Sequence, residues 1–185
     1  MFLHAGFWHL AGNMFFLWMF GGQVENRLGP WLFSLLYLVC GLGGGGLHYL
    51  TNHESTIPTV GASGAISGIV GAYFLFFPRA RFDLDFYLGW WRVKTVRTRT
   101  YAAVGAWFGE QLLLGLLTMT HGASIAFWAH VGGFLAGLGG AAVFRAVLPM
   151  QPEPALPAIS AGEWEKAPED DGEDRLQDHV TTLKL

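Results

Sequence analysis

The chain is short of charge and of cysteine. Only 14% of its 185 residues are Asp, Glu, Lys or Arg, against about 25% in soluble domains. Cys40 is the single cysteine and lies in an apolar run, so no internal disulfide can form and the redox compartment is not readable. A net charge of −3 gives no reason to expect nucleic acid. No positively charged stretch precedes the first apolar run, so no cleavable signal peptide is expected. The body is also short of acid: nine of the fourteen carboxylates lie after Pro149. That composition divides the chain into a membrane domain over residues 1–148 and an acidic, Pro-rich tail over 149–185, expected to be disordered because it cannot bury a core.

What the chain has is apolar length, at 52% hydrophobic residues. Five segments can be read as spans: Phe7–Gly22, Trp31–Leu50, Ala62–Phe77, Tyr101–Thr118 and Ile125–Val147. A spanning helix needs about 20 residues. The first and third are short, which is tolerable where a helix end meets a protein-lined cavity. The expected fold is therefore all-α, a polytopic transmembrane helix bundle. By alternation, all eleven Lys and Arg fall on one side of the membrane. The positive-inside rule makes that side cytoplasmic, together with the C-terminus. Leu84–Trp91, within the connector Pro78–Thr100, reads as an interfacial segment, because Trp and Tyr favour headgroup level.

Polar groups at membrane depth are costly and point to function. His4, His9, His48, His53, His121 and His130 all fall toward the exoplasmic side. They do not read as a metal centre, since His4 and His9, like His48 and His53, are five apart and share no helix face. Three other groupings carry chemistry. His9 and Asn13 are four apart, on one face of the first span. Gly61-Ala-Ser63-Gly64 opens the third. His130 heads Ala129-His130-Val-Gly-Gly133-Phe-Leu-Ala-Gly137 in the last.

A nucleophilic serine needs a base to take its proton, and histidine has a suitable pKa. Ser63 could be the nucleophile and His130 the base. The free N–H groups of a first helical turn, with His9 and Asn13 as further donors, could hold an oxyanion. Glu54 is the one acidic residue on that side, so a dyad is expected rather than a triad. Tyr73 and Trp128 are the candidates for orienting His130. Gly64 with Gly68, and Gly133 with Gly137, allow the third and fifth spans to approach closely. Each residue also has a plainer reading, which for His130 is a hydrogen-bonded histidine packed between helices. Ser63 after a glycine turn would serve as a helix N-cap. His9 and Asn13 could be an interhelical hydrogen-bonded pair, and His4 a structural residue bonding connector backbone. Glu110, beside Gln111, reads as a packing carboxylate.

In order and spacing these stretches resemble the rhomboid intramembrane serine proteases. His9-Leu-Ala-Gly-Asn13 is similar to their H-x-x-x-N helix, Gly61-Ala-Ser63-Gly64 to their G-x-S-G motif, and the His130 stretch to their histidine helix. Glu25-Asn-Arg27-Leu-Gly29 is similar to the family's cytoplasmic E-x-R-L-G. The resemblance covers about Met1 to Leu148. It implies a serine endopeptidase with Ser63 and His130 catalytic and His9, Asn13 and the Ser63 N–H in the oxyanion hole. Its substrates would be transmembrane proteins met within the lipid bilayer, with no metal and no organic cofactor. It also implies a multi-pass protein of a plasma membrane, read as bacterial or archaeal. Two departures stand out. The family core has six helices and five are counted, the family's first having no counterpart before Met1. Ser67 stands where some members carry an aromatic residue. The alternative is a rhomboid-like membrane binding protein, catalytically inactive for want of that helix.

Overall fold

The computed structural model describes residues 1–54, 59–88, 90–118 and 126–149. Five helices and one hairpin follow one another: α1 Phe7–Leu28, α2 Pro30–Thr51, α3 Ser63–Phe76, β1 Arg81–Leu88, β2 Trp91–Arg99, α4 Thr100–Thr118 and α5 Phe127–Val147. The acidic tail expected over 149–185 lies outside the described residues from 150 onward, as does His121.

The five helices match the five apolar segments, with one extension. α1 does not stop at Gly22 but runs through the stretch read as a connector, to Leu28. Gly29 ends it at φ 77, with its N–H donating to the Glu25 carbonyl at 2.7 Å. Pro30 then opens α2 at its first turn, where its missing N–H costs nothing. A left-handed glycine followed by a first-turn proline makes the whole turn between the two helices, where the apolar segments alone leave Gln23–Pro30 as a connector.

α3 is the central helix. From Ala65 to Tyr73 every residue is buried. A helix apolar all round belongs in a protein core or in lipid, and α3 takes the core, packed on α1, α2, α4 and α5. Its 14 residues make it the shortest helix described. Away from Ser63 the core is filled by Phe20 and Val24 of α1, Leu36 of α2, Ile69 and Phe76 of α3 and Phe134 of α5. Phe134 stacks on Phe108 of α4, ring centroids 4.3 Å apart. Arg27, from the E-x-R-L-G stretch, lies over the rings of Phe76 and Phe77 at 5.3 and 5.5 Å, a cation–π contact joining the end of α1 to the end of α3.

Large apolar side chains also cover much of the outer surface. Trp18, Leu42, Leu113 and Val143 all face outward and are exposed. An apolar belt of that extent marks a lipid-facing surface. α2 and α5 are long and apolar enough to cross a bilayer, and α3 is a shorter apolar helix. The chain is a helical membrane bundle.

The hairpin is the departure from an all-helical chain. The connector expected to lie along the interface forms an antiparallel pair instead, from Arg81 opposite Arg99 to Leu88 opposite Trp91, with an irregularity between Phe86 and Tyr87. Its residues alternate polar and apolar and are rich in β-branched and aromatic types, a strand pattern that the apolar count obscured. The base is fixed by Thr100, whose N–H and hydroxyl both donate to the Ala80 carbonyl, at 2.8 and 3.2 Å.

Candidate active site

Gly61 creates the turn into α3 at φ 112, a conformation that L side chains rarely adopt. Ala62 takes the N-cap position and Ser63 is the first helical residue, with no side-chain cap bond. The hydroxyl that would have capped the helix is used elsewhere. Ser63 Oγ and His130 Nε2 are 2.9 Å apart. The N–H groups of the first turn of α3 lie beside that hydroxyl without intrahelical partners, as in any first turn.

The approach of α5 to α3 depends on glycine. A Cβ on Gly133 would fall on the carbonyl oxygen of Gly64, and one on Gly137 on that of Gly68. A Cβ on Gly64 would lie 3.2 Å from the Ala129 carbonyl. Backbone meets backbone along this seam, and His130 starts it. α2 joins from the other side: a Cβ on Gly43 would meet that of Ala136 at 2.8 Å, and one on Gly44 would press on the Ala129 carbonyl. Gly45 and Gly46 face open space, so half of the four-glycine run serves packing.

His9 is set against the same turn. A Cβ on Gly61 would come within 2.7 Å of His9 Cε1 and 2.9 Å of its Nε2. The Ala5 N–H donates to His9 Nδ1 at 3.3 Å. An accepting Nδ1 leaves the proton of the neutral ring on Nε2, the atom beside the start of α3. Asn13 is buried, and its amide nitrogen donates to the His9 carbonyl at 2.7 Å. One of its two N–H bonds is thereby committed to its own helix, and the other is left to give.

Gln111 of α4 was not singled out by the sequence. It is buried, and its Oε1 lies 2.7 Å from His130 Nδ1. The residues expected to orient His130 are placed elsewhere: Tyr73 packs edge-on to Phe20 at 5.1 Å, and the Trp128 ring lies against Gly115. Glu110 is exposed rather than packed, because one residue is a 100° turn and only Gln111 faces inward. Ser67 donates to the Ser63 carbonyl at 2.7 Å. Among the described residues His4 bonds no connector backbone. Its ring packs edge-on to His9, centroids 5.4 Å apart, and its Nε2 is buried without a partner among the described residues. His48 lies near Asn52, and His53 approaches Glu54 at 4.0 Å. Among the described residues no three His, Cys, Asp or Glu side chains are grouped as metal ligands would be.

A helical membrane bundle with a serine–histidine pair at the start of its central helix is the class defined so far. The rhomboid domain model matches residues 1–146, and the chain belongs to the rhomboid family. It is 32% identical to RHOMBOID-like protein 6, mitochondrial, of Arabidopsis thaliana, over 83% of this chain and 43% of that protein. Rhomboid-type serine protease 2 of Emericella nidulans is 31% identical over 75% of this chain and 24% of its own length. Rhomboid protease GluP of Bacillus subtilis is 43% identical over 38% of this chain and 13% of its own. The chain thus spans less than half the length of these relatives. They come from a plant, a fungus and a bacterium, which does not favour a bacterial or archaeal membrane over any other. No solved structure matches the chain significantly.

Proposed function

We propose that this chain is the catalytic core of an intramembrane serine endopeptidase, with Ser63 as nucleophile and His130 as general base. The observation that carries the reading is the 2.9 Å between Ser63 Oγ and His130 Nε2, joining residues of two helices in a family with named serine proteases. Attack of Oγ on a scissile carbonyl passes the hydroxyl proton to Nε2 and puts negative charge on the carbonyl oxygen. The first-turn N–H groups of α3, the Nε2–H of His9 and the remaining N–H of Asn13 are the donors for that charge. Nε2 then protonates the leaving amine as the C–N bond breaks, and water frees the acyl group by the reverse sequence. The substrates are transmembrane proteins whose helices reach the Ser63 end of the bundle from the bilayer. That end is exoplasmic and the C-terminus cytoplasmic, since Arg27, Arg145 and the hairpin cations lie toward the opposite side.

The test is cleavage of a transmembrane reporter in liposomes, with labelling of Ser63 by a fluorophosphonate probe. Ser63→Ala and His130→Ala should each lower cleavage by at least about 10⁴-fold. Cleavage that survives Ser63→Ala would remove the reading. Binding of the reporter without any cut would favour a non-catalytic membrane binding protein.

A further inference from the structure

The geometry points to Gln111 as a positioning residue that fixes the tautomer of His130, so that the dyad is held by a third side chain. This rests on the protease reading above. The two ring nitrogens of His130 have different partners: Nε2 faces Ser63 Oγ at 2.9 Å and Nδ1 faces Gln111 Oε1 at 2.7 Å. An amide oxygen only accepts, so Nδ1 must carry the proton and Nε2 must present its lone pair to the hydroxyl. The opposite tautomer would set a bare Nδ1 against a bare Oε1 and leave no base toward Ser63.

The placement of Gln111 suits that task. It comes from α4, a helix distinct from those carrying Ser63 and His130, and only 7% of it is exposed. A buried amide is held to its partner, because losing it leaves a polar group unsatisfied. When His130 becomes charged, the Nδ1–H bond persists and the oxygen end of the amide dipole faces the cation. A neutral amide stabilises that cation less than a carboxylate does, so its contribution is expected to be moderate. Among the described residues no acidic group replaces it: Glu110 is exposed. Among the described residues, His9 of α1 and His48 of α2 are the ionisable side chains that face His130. α3 presents the Ser63 hydroxyl to the ring, while that of Ser67 is bonded to the Ser63 carbonyl.

Reporter cleavage by the full chain in liposomes, followed across pH, tests the assignment. Gln111→Leu keeps an apolar side chain of similar size and removes the acceptor. It should lower kcat roughly 3- to 10-fold, as expected for a neutral hydrogen bond, with KM unchanged. Gln111→Glu restores an acceptor with negative charge. It should keep the rate near neutral pH and move the acidic limb of the kcat profile to higher pH, because an anion beside the ring favours its charged form. A Leu variant within twofold of the parent, or an acidic limb unmoved by Glu, would overturn the assignment. The ¹⁵N ring shifts of His130, assigned by comparison with His130→Gln, give a readout independent of turnover. The Nδ1–H tautomer is expected in the parent protein and a mixture in Gln111→Leu, and an Nε2–H parent would overturn the proposal. Absent Ser63-dependent cleavage would fail the protease reading, and the ring shifts would still decide the role of Gln111.

Discussion

Gly133 of α5 lies so close to Gly64 of α3 that a Cβ on the first would coincide with the carbonyl oxygen of the second. Gly64 directly follows Ser63, and Gly133 lies about one turn after His130. The backbone separation that their contact enforces is the one that lets two short side chains meet at 2.9 Å. Helices in lipid gain nothing from hiding apolar surface from water, so such close packing is itself a main source of association.

Gly133→Val should therefore act on stability and chemistry together. Overpacking a tight seam costs about 1–3 kcal/mol, and relief can come only by moving α5 away from α3. Unfolding in detergent should occur several degrees lower, with cleavage and probe labelling lost before the fold is. Gly45→Ala is the control, since nothing lies within 4 Å of that position. It should be neutral or slightly stabilising. Equal effects from the two substitutions would show that the seam does not hold the pair in place.

Gly61 meets two separate constraints, and a single methyl violates both. Its φ of 112 is strained for any L residue, at about 1–3 kcal/mol, and the added Cβ would stand 2.7 Å from His9 Cε1. Gly61→Ala should displace His9 and the start of α3 relative to each other. A loss of about tenfold or more in cleavage rate is expected, corresponding to roughly 1.4 kcal/mol in the barrier. His9→Ala in the same chain should relieve only the steric part. A Gly61→Ala rate within twofold of the parent would show that the turn tolerates a side chain.

How much of this was legible in the sequence depends on whether a residue's role follows from its neighbours along the chain or from a helix phase. The spans were legible because apolar runs end at polar connectors, and five of five correspond to helices. Ser63, His9 and Asn13 were legible because they sit at helix starts or at i, i+4 spacing. Gln111 was not. Beside Glu110 in an apolar segment, the carboxylate drew attention, and only the rotation of α4 decides which residue faces His130. The hairpin was hidden because its strands lie in a stretch read for apolar content, where alternation is the informative period. The extension of α1 to Leu28 was hidden because Gln23, Glu25 and Arg27 signal a loop by polarity, although helical backbone accepts them and Gly29 is the true stop.

His9 and Asn13 should differ in weight, although their spacing treats them alike. His9 has its Nε2 beside the turn and its Nδ1 occupied by the Ala5 N–H, so its donor is aimed by the fold. Asn13 spends one N–H on the His9 carbonyl. Removing a well-aimed oxyanion donor costs about 10²–10³ in kcat. His9→Ala should approach that loss, and Asn13→Ala should fall short of it, nearer tenfold, with KM unchanged in both. Steady-state cleavage in liposomes measures the two, and a larger loss from Asn13→Ala would reverse this order of roles.

The hairpin end should be separable from the site. Thr100 is fully buried and ties the hairpin base to the bundle through Ala80, at the end of α3 away from Ser63. Thr100→Val keeps the shape and the N–H bond and removes only the hydroxyl. A neutral hydrogen bond contributes about 0.5–1.5 kcal/mol, so unfolding in detergent should shift down by a few degrees. The 14 residues of α3 separate this change from the nucleophile, and the packed core between them transmits little of a lost hydroxyl. Cleavage should stay within twofold of the parent. If Thr100→Val abolished cleavage while unfolding moved only slightly, the hairpin would have to be coupled to the Ser63 end through α4, the helix that carries both Thr100 and Gln111.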